Sequence, residues 1–249
     1  MNGVDEYSLD APEFKRVLLA QRRTKIKGGI YHLTQLAFAY NSNRIEGSRL
    51  TEDQTRTLYE TRTIDGFAHA DDIIETANSF RAFDRMLDYC EQPVTADAMK
   101  ELHRILKEGT ADAAQDWFTI GDWKTLANSY NTTDPTTAPE DVDQAITRLL
   151  DTTPERMSFE DIAKFHHDFE KIHPFQDGNG RVGRLVMFGQ CLRNDIMPFV
   201  VLDEQKAFYY RGLQMFSEEP GFLIQTLRSF QDVYHQKFRD FVPPTPICQ

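Results

Sequence analysis

No stretch of this chain is apolar for long enough to cross a bilayer. A spanning helix needs about 20 consecutive apolar residues, and the longest candidates, such as Pro198-Phe199-Val200-Val201-Leu202, are short pieces suited to a core. Cysteine is scarce: Cys90, Cys191 and Cys248 are odd in number and far apart. That pattern fits neither a disulfide framework nor a CxxC metal site, and it points to a reducing compartment. Positive charge is in deficit, with 28 Lys plus Arg against 39 Asp plus Glu, a formal charge of −11 over 249 residues. An acidic surface repels nucleic-acid phosphates and anionic lipid, which argues against general polyanion binding but leaves a local basic pocket open. The first residues, Met1-Asn2-Gly3-Val4-Asp5-Glu6-Tyr7, lack the basic and apolar regions of a secretory signal. A cytoplasmic protein is expected, with neither a membrane nor a nucleic acid among its partners.

What is present reads as mostly helical. Apolar residues recur at helical spacing along Ile30, Leu33, Leu36, Ala37 and Tyr40, after a charged helix from about Pro12 to Lys25. Thr51 with Gln54, and Ser158 with Asp161, carry the spacing of capping boxes, which open helices to about Thr61 and to His173. Further helices are expected from about Asp71 to Cys90, from Thr95 to Gly109 with His103 inside, from Glu140 to Leu150, from Asn179 to Arg193, from Glu204 to Ser217 and from Gly221 to Arg239. Between Thr110 and Pro139 the periodicity vanishes; there Lys124 to Ala127 and Ser129 to Thr133 are expected to form a short hairpin. Pro243, Pro244 and Pro246 read as a loose tail.

One segment carries chemistry: His173-Pro174-Phe175-Gln176-Asp177-Gly178-Asn179-Gly180-Arg181-Val182-Gly183-Arg184. A helix delivers a histidine at its end, because Pro174 cannot continue it. A Gly-Asn-Gly turn then opens a second helix, and its first backbone N–H groups have no partner within the helix, which makes an anion site. Arg181 and Arg184 share one face a turn further in. Two guanidinium forks beside such a turn suit a polyphosphate. Asp177 would repel a bare anion, but Mg²⁺ bridging it to phosphate oxygens makes sense of its place. His173 is the nearby group whose ordinary pKa suits a general base near neutrality.

This segment resembles, at each defining position, the Fic (Fido) family motif His-x-Phe-x-Asp/Glu-Gly-Asn-Gly-Arg-x-x-Arg. The resemblance implies an all-α fold: a Fido helical core over residues 94–234 with a small β-hairpin flap, an N-terminal extension over 1–93 that includes an inhibitory helix at about 30–47, and a tail over 235–249. It implies a protein adenylyltransferase that moves AMP from ATP to a Ser, Thr or Tyr hydroxyl and releases pyrophosphate. His173 would be the base and Asp177 the Mg²⁺ ligand. The N–H groups around Gly178, Asn179 and Gly180 would form the anion hole, with Asn179 also reaching the α-phosphate. Arg181 would contact the β/γ-phosphates and Arg184 the γ-phosphate. Tyr209 and Tyr210 lie on the helix that in relatives runs near the adenine, and Tyr210 is taken as nucleotide-binding. The phosphorylating branch of the superfamily carries lysine where this chain has Gly180, which favours adenylyl transfer.

Ser42-Asn43-Arg44-Ile45-Glu46-Gly47 is similar to the family's inhibitory motif, Ser/Thr-x-x-x-Glu-Gly/Asn. By that resemblance Glu46 pairs with Arg184 and keeps it from the γ-phosphate. Removal of AMP, use of another nucleotide, or a nucleotide-sensing module without turnover stay open as alternatives. Self-modification and homo-oligomerisation stay open too, and the target protein is not legible. His166 reads as a hydrogen-bonded helix residue, Cys191 as core, and Trp117 and Trp123 as anchors.

Overall fold

Ten α-helices and one two-stranded hairpin make up the described residues, 10–130 and 134–241, of the computed structural model. The expected proline tail and Cys248 lie outside them, as do residues 131–133 of the hairpin segment. α1 (Ala11–Thr24) has Pro12 in its first turn, where a missing N–H costs nothing. It stops where Lys25 turns left-handed at φ 53°. α2 (Ile30–Ile45) follows Gly28, whose φ of +75° suits glycine. α3 (Glu52–Thr61) opens on the expected capping box: the Thr51 hydroxyl accepts from the Gln54 N–H, and the Gln54 side chain accepts from the Thr51 N–H. α4 (Ala70–Tyr89) and α5 (Ala96–Lys107) are antiparallel neighbours, the latter capped by Thr95.

The hairpin forms further along the chain than the sequence suggests. β1 (Ser129–Tyr130) pairs antiparallel with β2 (Asp134–Pro135). The segment Lys124–Ala127, expected as its first strand, is bound to a different loop. The Lys124 N–H donates to the Pro174 carbonyl at 2.8 Å, the Leu126 N–H to the Gln176 side chain at 3.3 Å, and the Asn128 side chain to the Phe175 carbonyl at 2.9 Å. With those donors committed, strand pairing moves downstream.

α6 (Val142–Asp151), α7 (Phe159–Ile172), α8 (Asn179–Arg193), α9 (Lys206–Met215) and α10 (Gly221–Phe238) complete the bundle. α10 runs to Phe238, one residue short of the expected Arg239, and the Phe238 ring is fully buried. α8 is buried all round, as a helix without a polar face must be. α2 is buried on two sides: Tyr31, Phe38 and Ile45 join the main core with Phe83 and Phe188, while Leu36 and Ala39 join a second cluster with Leu50, Leu58 and Phe80. Phe14 of α1 meets Tyr234 and Phe238 of α10 edge-on, and the Thr34 and Tyr234 hydroxyls lie 2.6 Å apart. Among the described residues no helix is long and apolar enough to cross a membrane.

Candidate active site

α7 starts at a second capping box, Ser158 with Asp161, and ends at His173, whose φ of 52° is left-handed. A non-glycine residue in that region carries a backbone cost that surrounding contacts must hold. Here the His173 N–H donates to the Phe169 carbonyl at 2.9 Å. Its Nδ1 lies 3.2 Å from the Glu170 carbonyl. A carbonyl only accepts, so Nδ1 carries the proton and Nε2 presents its lone pair. Burial pushes the ring's pKa below its ordinary value, which keeps it neutral at pH 7.

The turn after His173 is held from within. The Asn179 side chain accepts from the Phe175 N–H and donates to the Phe175 carbonyl, both at 2.8 Å. With both ends of its amide used on Phe175, the Asn179 side chain holds the turn, and its backbone N–H is among those at the start of α8. Phe175 itself is buried and stacks on His103 with ring centroids 4.1 Å apart. Gly178 caps α8 at φ +80°, a left-handed conformation that suits glycine. The first N–H groups of α8 are left without intrahelical partners, so the anion-binding turn is formed by backbone.

A buried charge network backs this turn. Arg181 places Nη1 2.6 Å from Glu75 and Nη2 2.9 Å from Asp177. Lys107 is 1% exposed, and its ammonium donates to Glu75 at 2.7 Å, Asp112 at 3.1 Å and Asp177 at 2.7 Å. Burial alone would raise the Asp177 pKa, but Arg181 and Lys107 outweigh it and hold the carboxyl well below its usual range. Burial likewise works against the Lys107 cation, and Asp177 and Glu75 outweigh it, so its pKa lies above the ordinary value. Glu75, Lys107 and the stacking role of His103 were missed in the sequence. The available signal was that His103 and Lys107 fall at i and i+4 on the same stripe as buried Met99 and Leu106.

Asp177 bears on whether the site suits a divalent cation. One of its oxygens accepts from both Lys107 and Arg181, yet the side chain is still 46% exposed. Among the described residues no group of three or more histidine, cysteine, aspartate or glutamate side chains could hold a metal ion. The half-exposed Asp177 carboxylate is the one group at the turn that Mg²⁺ completed by phosphate oxygens would take, a common Mg²⁺ arrangement.

On the other side of the turn, Arg184 is 3% exposed and fully engaged with α2. Its Nε donates to the Ser42 hydroxyl at 2.9 Å, and its Nη2 donates to the Ser42 carbonyl at 3.1 Å and to Glu46 at 2.6 Å. The Glu46 carboxylate lies over Gly180: a Cβ at that glycine would collide with it. Tyr210 packs on the same helix end, its hydroxyl 3.4 Å from the Ile45 carbonyl. Burial, with Glu46 nearby, pushes that hydroxyl up to about 12. Tyr209 is core, with its hydroxyl 2.7 Å from His166 Nε2, and burial lowers the His166 pKa to about 3. A cavity of about 280 Å³ opens between α7 and α9, lined by His167, Glu170, Lys171, Leu213 and Gln214 and bounded by Pro135 of β2.

These features define a helical domain built around an anion-binding turn, with a histidine before it and two buried arginines on opposite sides of it. Residues 93–190 match the model of the Fic/DOC family. The chain is similar to "Protein adenylyltransferase Fic" of Nematostella vectensis, 29% identical over 70% of this chain and 41% of the relative. It is also similar to the protein of the same name from Drosophila melanogaster, 27% identical over 88% of this chain and 45% of that relative. The chain thus spans less than half the length of these curated relatives. A Fic domain-containing signaling protein from Bacteroides thetaiotaomicron shares the fold, with a TM-score of 0.70 at 22% identity, covering 92% of this chain and 91% of the other.

Proposed function

We propose that this chain is an autoinhibited, Mg²⁺-dependent protein adenylyltransferase. The observation that carries the reading is the placement of a neutral histidine lone pair, an open helix N-terminus and two buried arginines around one turn. The relatives named as protein adenylyltransferases support it. In this reading the proposed partners are ATP and a protein that offers a hydroxyl. The phosphates lie on the first N–H groups of α8, and Asp177 holds Mg²⁺, which neutralises charge on the phosphate oxygens when bound. His173 Nε2 takes the proton of the target hydroxyl as its oxygen bonds to the α-phosphorus. The bond from that phosphorus to the bridging oxygen breaks, and pyrophosphate leaves. A general base contributes about 10²–10⁴-fold in such a step.

The same geometry supports a brake. Glu46 occupies the space above Gly180 that phosphate oxygens need, and it takes the guanidinium that would otherwise bind them. A buried Arg–carboxylate pair competes on equal terms with an Arg–phosphate pair, and a misplacement of about 1 Å costs ~10²-fold in rate.

The test is transfer of label from α-labelled ATP with Mg²⁺, in buffer and in cell lysate. Strong labelling is expected for Glu46→Gly, weak labelling for wild type, and none for Glu46→Gly/His173→Ala. Absence of labelling in every lane while ATP still binds would overturn the reading.

A further inference from the structure

Lys124 stands ahead of the hairpin and beside the histidine loop, and it is 3% exposed. Its ammonium donates to the Asn128 side-chain oxygen at 2.7 Å and to the Thr136 hydroxyl at 2.6 Å. Asn128 comes directly before β1 and Thr136 directly after β2, so one group ties the two ends of the hairpin together. Thr136 closes the ring by donating to the Asn128 carbonyl at 3.0 Å. The same residues reach across to the other loop: the Lys124 N–H holds the Pro174 carbonyl, and the Asn128 amide holds the Phe175 carbonyl. Hairpin and histidine loop are therefore one hydrogen-bonded unit with Lys124 at its centre.

A neutral donor would be enough for such a clasp. A buried cation costs free energy unless a carboxylate meets it, and among the described residues the Lys124 ammonium has only neutral acceptors. Burial lowers its pKa to about 8, so the charge is still present where an imidazole titrates. We propose that Lys124 is a positioning residue for His173: it locks the hairpin to the histidine loop and places an unmatched positive charge near the ring, where it opposes protonation. The inference rests on the reading of His173 as the base. Burial is the main influence that keeps this ring neutral, and Lys124 acts in the same direction. The Glu170 carbonyl, Glu46 of α2 and Asp177 of the turn act in the opposite one. Lys124 thus offsets the two carboxylates that would otherwise favour an imidazolium, which could not take a proton.

The experiment follows the His173 ring of the full chain by nuclear magnetic resonance through a pH titration. In Lys124→Met the ring pKa is expected to rise by about half a pH unit. Lys124→Gln serves the same purpose should the methionine variant fail to fold. Lys124→Arg, which restores the charge, should titrate as wild type does. An unchanged ring pKa in the neutral variants overturns the proposal, and so does an equal rise in Lys124→Arg, since that would reflect lost packing alone. In the Glu46→Gly background, Lys124→Met is expected to move the acid limb of label transfer upward with the ring. Its rate at saturating ATP should fall about 10-fold with the KM for ATP unchanged. No label transfer even in Glu46→Gly would count against the transferase reading, while the ring titration still decides the role of Lys124.

Discussion

Glu170 shows how much a single position in this molecule depends on its surroundings. It lies one turn before His173, buried, and its Oε1 is so close to α8 that a Cβ on Gly183 would stand 2.8 Å from it. Burial raises its pKa from 4.5 to about 8, against the pull of Arg184. The folded protein therefore favours the protonated acid. The stability this contributes is present in full below the unfolded value near 4.5, and it is lost as the pH rises toward about 8. Glu170→Gln supplies a neutral group of the same shape at every pH. Its melting temperature is expected to exceed wild type by several degrees near pH 8 and to match it near pH 5, in paired thermal melts. A difference that ignores pH would count against this account. Residues of this kind divide by how far away their partners lie. His173, Asp177, Arg181 and Arg184 were legible because they stand in one run of sequence, and Glu46 because it closes a short motif. Lys107 was missed because two of its three partners are 32 and 70 residues away, and its place on the stripe of Met99, His103 and Leu106 marks burial without naming a partner.

At the scale of elements, α2 acts on the site only through its last turn. Ser42 and Glu46 lie one helical turn apart and hold Arg184 by three hydrogen bonds, one of them to the Ser42 hydroxyl. Ser42→Ala removes that one bond, with a net worth of about 1.5–3 kcal/mol for a bond to a charged group. Its label transfer is expected to fall between wild type and Glu46→Gly. Transfer equal to wild type would show that the hydroxyl adds nothing to the brake. Helices were the legible elements: capping boxes at Thr51 and Ser158 and left-handed or proline stops mark their ends by local chemistry. The hairpin was not, because its place is decided by which loop captures Lys124, Leu126 and Asn128. That competition is tertiary and leaves no periodicity in the sequence.

Over the whole molecule, the brake cannot be detached from the fold. α2 supplies Tyr31, Phe38 and Ile45 to one hydrophobic cluster and Leu36 and Ala39 to another. Emptying a buried phenylalanine position alone costs about 3–5 kcal/mol, a large part of the stability of an ordinary domain. Deletion of residues 1–47 is therefore expected to give an unfolded or aggregated chain, read by circular dichroism and a lost cooperative melt. A soluble, folded and more active truncation would contradict the packing described. On the proposed reading, activation comes from displacement of Glu46 and its neighbours, with most of α2 left in place.

The hydroxyl contact between Thr34 and Tyr234 and the rings of Phe14, Tyr234 and Phe238 also set an order in time. During synthesis at about 5–20 residues per second, the histidine loop and both arginines leave the ribosome while α10 is still unmade. The core that seats α8 needs α1 and α2 on one side and α10 on the other, and it closes only once that last helix arrives. A nascent chain thus has no stage at which the catalytic turn is finished and the restraint is not: both are completed in the same step.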